Sequence, residues 1–146
     1  MHIIEDDILL MTTGTIAHQV NCKGVMGKGL ALKIANKWPN VFQLYRDFVL
    51  HNQASGTEML AFVQYCQVEP YLYVANCFAQ KGYGCGLQTS YEALALCFEQ
   101  LSNSVNQRPI YIPYGMGCGL GGGDWNKVSQ LFEVFCPEAI LVRKTK

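Results

Sequence analysis

The chain has no excess of either charge, since its 146 residues carry 11 lysines and arginines against 11 aspartates and glutamates. Nothing in that balance suggests an extended nucleic-acid or membrane-surface partner, so an anionic ligand is expected to be held by local geometry. No apolar run approaches the length of a bilayer span, which excludes a transmembrane helix and a membrane partner. The seven cysteines are odd in number and include no C-x-x-C pair, which argues against a disulfide framework and a structural zinc site. The first residues lack a charged stretch leading into an apolar one, so a reduced, cytoplasmic protein is expected. Repeats, low-complexity stretches and linkers are also missing. With half of its residues hydrophobic and a length that suits one core, the chain is expected to form one domain over 1–146, with no metal and no cofactor.

Glycine is what the chain does have, and it is concentrated: six of the fourteen glycines fall between positions 115 and 123. A loop that rich in glycine loses conformational entropy on folding, which implies that another group approaches its backbone closely. Pro109, Ile110, Tyr111 and Ile112 before it read as a short buried strand. Behind it, Asp124 is placed to cap a helix whose apolar positions Val128, Leu131, Phe132 and Phe135 share one face. Strand, glycine loop and helix N-terminus together make a nest of N–H groups suited to an anion, above all a phosphate. Gly117, Gly119 and Gly122 also match the dinucleotide fingerprint G-x-G-x-x-G. That motif, however, opens a βαβ unit with an acidic residue on the next strand, and only one helix and one strand remain here.

A second glycine-bearing turn follows Asn21. Residues 1–4 and 16–21 read as strands, and within the second His18 is read as a core or sheet-face histidine. Residues 22–29, CKGVMGKG, run directly into a helix over 30–38. The turn lacks the spacing and the hydroxyl residue of a P-loop, and Lys28 is read as solvated. Pro39 ends that helix and opens another, with Val41, Leu44, Tyr45, Phe48 and Val49 on one face and a loop from 52 to 56. Residues 59–65 and 71–78 read as strands of a hairpin around Glu69 and Pro70, which makes the sheet mixed. In the polar, glycine-rich segment 79–86, Gln80, Lys81 and Tyr83 form a candidate lid. Thr89 and Glu92 have capping-box spacing before a helix that buries Tyr91, Leu94, Phe98 and Leu101. Residues 139–142 read as the last strand, and Arg143, Lys144 and Lys146 as a solvated tail. Strands and helices alternate over most of the length. In an open α/β sheet ligands collect beyond the carboxyl ends of the strands, so the three loops are expected to meet over one cleft.

The two motifs VNCKGVMGKGLA at 20–31 and GCGLGGGDW at 117–125, in this order, resemble those of the macro domain, in particular its compact phage and bacterial branch. That branch includes ADP-ribose 1''-phosphate phosphatases, the terminal ADP-ribose protein glycohydrolase, and antitoxins that strip ADP-ribose from DNA. The resemblance implies a three-layer α/β/α sandwich around a mixed, mostly parallel sheet, with ADP-ribose or a derivative in the cleft. By motif position it implies that Asp7 and Ile8 recognise adenine and that Asn21 holds the distal ribose, lined by Met26, Gly27 and Gly29. Gly117, Cys118, Gly119, Leu120 and Gly121 would wrap the diphosphate. The glycohydrolase branch carries an adduct-forming lysine beyond a strand and an aspartate in the glycine loop. Here the corresponding strand end reads NCFAQK at 76–81, and Gly121 stands at the loop position.

Hydrolysis at an anomeric carbon needs an oriented water, a proton acceptor and stabilisation of developing charge. Asp124 is the candidate base, in competition with helix capping, which lowers a carboxyl pKa. Asn21 is the other catalytic candidate, as a group that positions hydroxyls and water without titrating, and the substrate's own diphosphate is an alternative base. Three functions are thereby open. One is hydrolysis of an ADP-ribose derivative, either a terminal phosphate or an ADP-ribosylated protein or nucleic acid. The others are a reader that binds ADP-ribose without turnover, and a binder of another phosphorylated metabolite.

Overall fold

A computed structural model of the chain describes residues 1–145. Six strands, β1 (His2–Glu5), β2 (Gly14–Asn21), β3 (Val63–Glu69), β4 (Leu72–Gln80), β5 (Ile110–Pro113) and β6 (Ile140–Arg143), form a single sheet. Their order is β1-β6-β5-β2-β4-β3. All neighbours are parallel except β3 and β4, whose short connection permits only an antiparallel hairpin. The longer connections carry helices. α1 (Gly29–Lys37) and α2 (Pro39–Ser55) cover one face, and α3 (Tyr91–Ser102) and α4 (Trp125–Phe135) the other.

The central strand β2 shows why both faces close. Ile16 and Val20 pack into the α1/α2 layer with Ile34, Val41, Tyr45 and Val49, while Ala17 packs into the α3/α4 layer with Leu94, Phe98, Val128 and Phe132. Side chains of a strand alternate faces, so a strand covered on both sides sends apolar groups into each layer. The result is a mixed, mostly parallel three-layer α/β/α sandwich. Among the described residues no helix is long and apolar enough to cross a membrane.

Several local expectations shift. The first hairpin strand begins at Val63, because residues 59–62 form a turn in which Ala61 has φ 78° and Phe62 is 44% exposed. An apolar run cannot by itself separate a turn packed on the core from a strand. α2 continues through the proposed loop at 52–55 and stops at Gly56 (φ 70°), whose N–H donates to the Asn52 and Gln53 carbonyls. Its buried stripe is Val41, Tyr45, Val49 and Asn52, and Leu44 faces outward. The N-cap of α3 is Ser90, which accepts from the Ala93 N–H, and not Thr89. Tyr91 is only half-buried. Arg143 belongs to β6 and pairs with Glu5 instead of joining a tail, and Lys146 lies outside the described residues. The parallel strands β2, β4 and β5 end at the same edge of the sheet, which brings together the loops after Asn21, Gln80 and Pro113.

Candidate functional site

At the end of β2 the Asn21 carboxamide ties down the loop that follows. Its Oδ1 accepts from the Lys23 N–H (2.9 Å) and the Val25 N–H (3.4 Å), and its Nδ2 donates to the Val25 carbonyl (2.9 Å). The fully buried Tyr45 hydroxyl lies 2.7 Å from both Asn21 oxygens and accepts from the Gly24 N–H at 3.1 Å. Burial holds that phenol well above its ordinary pKa, so it stays a neutral donor. Asn21 Oδ1 is therefore saturated by the protein. One N–H of Nδ2 remains for the cleft that Asn21 lines.

The loop after β5 is a run of tight turns: the Cys118 N–H donates to the Gly115 carbonyl, Gly122 to Gly119, and Gly123 to Gly117. It is pinned from below by Thr89, whose hydroxyl donates to the Gly117 carbonyl (2.7 Å) and accepts from Gln19 Nε2 (2.8 Å). That duty removes Thr89 from the capping role expected of it. The glycines here serve two different ends. Gly117 has φ 79°, and a Cβ at Gly121 would come within 2.4 Å of Thr89 Oγ1, so the fold itself requires both. Gly119 has no left-handed φ and a Cβ there meets nothing within 4 Å; at Gly27 the only neighbour is a Val25 methyl at ordinary contact distance. Nothing in the protein's own packing demands glycine at these two positions.

Both loops line one cleft of about 750 Å³. From the first come Met26, Gly27 and Gly29, and from the second Gly117, Gly119, Leu120 and Gly121. Among the described residues the N–H groups of Gly117, Gly119, Leu120 and Gly121, and of Met26, Gly27, Lys28 and Gly29, have no protein acceptor. Two sets of unpaired main-chain donors thus border the same cavity, which is the arrangement that binds anions. Among the described residues no aspartate or glutamate lines it, and Lys28 is its one lysine or arginine. Lys28, expected to be solvated, is exposed and immediately precedes α1.

Other expected site residues lie elsewhere. Asp124 caps α4, its Oδ1 accepting from the Asn126 N–H at 2.8 Å, and does not line the cleft. Cys118 packs against the α3/α4 core with its thiol near the Met116 carbonyl, and burial raises its pKa. Lys81 turns away to Glu58 (3.8 Å) beside a separate depression of about 270 Å³ that Cys22 and Gln53 also line, while Gln80 and Tyr83 do face the cleft. The lid expectation therefore loses its lysine. Asp7 caps the single turn Ile8–Leu10 by accepting from the Leu9 N–H at 3.0 Å, and Ile8 is buried in the α1/α2 core. Both follow β1 at the carboxyl edge of the sheet, outside the residues that line the cleft.

His18, read from the sequence as a core or sheet-face histidine, is in fact at both the core and the cleft. It is 1% exposed, yet it lines the cleft. Its Nε2 sits 2.6 Å from Asn76 Oδ1, Asn76 Nδ2 donates to Gln64 Oε1 (3.0 Å), and Gln64 Nε2 donates to the Leu44 carbonyl (3.2 Å). A main-chain carbonyl can only accept, so each amide in turn is oriented and His18 Nε2 must carry the proton. Nδ1 is then a bare acceptor, and it has no donor. Burial lowers the imidazole pKa from 6.5 to about 4, opposed by the Asn76 hydrogen bond. Gln19 Oε1, beside Gly117, is a second buried acceptor without a donor. Each such group costs about 1–3 kcal/mol unless something fills it.

No family model matches the chain. It is similar to the DNA ADP-ribosyl glycohydrolase of Mycobacterium tuberculosis, 27% identical over 125 residues, which are 85% of this chain and 35% of that protein. The chain thus spans about a third of that relative's length. Among solved structures, a macrodomain protein from Streptomyces coelicolor superposes with a TM-score of 0.81 at 27% identity over 99% of each chain. The macrodomain of Thermus aquaticus DarG superposes with a TM-score of 0.78 at 22% identity, over 99% of this chain and 97% of that one. The chain is a macro domain in its fold. Its resemblances in sequence and structure include the bacterial proteins just described.

Proposed function

We propose that the protein binds ADP-ribose and hydrolyses ADP-ribose derivatives, releasing ADP-ribose from a modified macromolecule. The observation that carries this reading is the pair of glycines, Gly27 and Gly119, that the fold does not need, set among unpaired N–H groups on two sides of one cleft. A diphosphate fits such a surface, because the amide dipoles are fixed before binding and need no reorganisation. Asn21 has one N–H free for a hydroxyl of the distal sugar, while the adenine role of Asp7 rests on motif position alone. The likeness to a protein named as a DNA ADP-ribosyl glycohydrolase supports removal from a macromolecule over dephosphorylation of ADP-ribose 1''-phosphate. With no carboxylate in the cleft, the substrate's diphosphate is the proton acceptor in this reading, and the loop amides stabilise charge.

That same lack of a carboxylate favours a second reading, a protein that binds ADP-ribose without turning it over. A panel of ADP-ribosylated DNA, ADP-ribosylated protein and ADP-ribose 1''-phosphate separates the two, since a reader releases product from none of them. Gly119→Glu tests the loop assignment directly. The added side chain has open space and an ordinary φ, so the fold should persist, while its charge lies where the phosphates belong. Calorimetric affinity for ADP-ribose should fall by about a hundredfold or more. Unchanged affinity would remove the second loop from the binding site.

A further inference from the structure

The polar row His18–Asn76–Gln64 runs straight across β2, β4 and β3, at directly paired positions of the sheet. It is set in the α1/α2 face among Ile16, Val20, Val74 and Phe78, none of which carries a side-chain donor. A buried row of this kind is expensive in an apolar layer, and it is complete except at one atom. Every polar side-chain atom of Asn76 and Gln64 has a partner, and His18 Nε2 has one; only His18 Nδ1 is left over. His18 also lines the cleft, so a ligand bound there lies next to this residue.

We propose that the Nδ1 lone pair of His18 accepts a hydrogen bond from a hydroxyl of the distal ribose, so that the row acts as a prearranged sugar contact. This rests on the ADP-ribose reading. The chemistry selects the group. A diphosphate offers acceptors only and cannot satisfy Nδ1, whereas a ribose offers hydroxyl donors. Asn21, at the end of the same strand, offers the complementary N–H, so one strand presents both a donor and an acceptor to the sugar. The Leu44 carbonyl, acting through two amides, fixes which nitrogen carries the proton.

Nitrogen NMR of the 146-residue chain tests this without any substitution. On saturation with ADP-ribose the His18 Nδ1 resonance should move upfield, as an acceptor nitrogen does when it gains a hydrogen bond, and with ADP, which lacks the distal ribose, it should stay in place. A second arm uses two variants. Gln places a donor near the Nε2 position, so His18→Gln keeps the Asn76 link, loses the acceptor, and should weaken ADP-ribose about tenfold while ADP binding is unaffected. Asn places a carbonyl near the Nδ1 position, so His18→Asn should recover part of that loss even though it breaks the row. If wild type binds ADP-ribose and its Nδ1 resonance does not respond, or responds equally to ADP, the sugar contact is wrong and the ADP-ribose reading survives. If wild type binds no ADP-ribose, the reading fails and takes the sugar contact with it.

Discussion

At the scale of single residues, His18 couples the site to the stability of the fold. Its pKa is about 4 in the folded protein against 6.5 when free, because burial penalises the imidazolium and no charged neighbour compensates. Between those values the unfolded chain holds a proton that the folded chain does not, so stability rises with pH across the interval. It is fully present above about 6.5 and is lost progressively as pH falls toward 4. The shift corresponds to about 3 kcal/mol as an upper figure. Denaturant unfolding of wild type and His18→Gln at pH 7 and pH 4.5 measures it: the wild type should lose more stability between the two, and parallel losses would show that imidazole burial does not govern this limb. Asn21 and Gly119 differ from His18 in how readable they are. A short polar residue at a strand end and a glycine-rich loop are local patterns. The missing donor at Nδ1 depends on Asn76 and Gln64, 58 and 46 positions along the chain, and no periodicity of β2 reports it.

Among the elements, α4 decides what Asp124 does. The carboxylate that the sequence offers as a base is spent on the first turn of a helix, accepting the Asn126 N–H. Asp124→Ala should then cost about 1 kcal/mol, the usual worth of an N-cap, and lower Tm by about 3 °C while leaving turnover of an ADP-ribosylated substrate at the wild-type rate. A large fall in kcat with an unchanged Tm would return Asp124 to catalysis. The order of strands and helices was legible because both faces of the sheet are covered and the helices carry clear apolar stripes. The errors fall where one side chain had two possible jobs. Thr89 has capping-box spacing, but its hydroxyl is committed to Gly117 and Gln19, and Ser90 takes the cap. Phe62 belongs to an apolar run, yet stacks on Phe48 from a turn, so the strand begins at Val63 instead of residue 59. Lys81 follows the strand that the glycohydrolase pattern marks, but Glu58 draws it to the other side of the loop.

For the whole molecule the relevant quantity is the one noted first, a net charge of zero. An anion approaching a neutral protein gains little from its long-range field, and salt screens side-chain charges over about 10 Å at 0.1 M. Amide dipoles in contact with a bound phosphate lie inside that distance and are largely exempt. Among the described residues Lys28 is the only lysine or arginine lining the cleft, so the ionic-strength dependence of ADP-ribose binding should come mainly from that one side chain. Raising salt from about 0.05 M to about 0.5 M should weaken the wild-type affinity by less than about fivefold, and Lys28→Ala should flatten even that slope while retaining most of the affinity at high salt. Titration calorimetry at several salt concentrations reads both. A steep dependence that survives Lys28→Ala would mean that cations outside the cleft, such as Lys23 or Lys81, reach over to the ligand, and the main-chain account of phosphate binding would have to be abandoned.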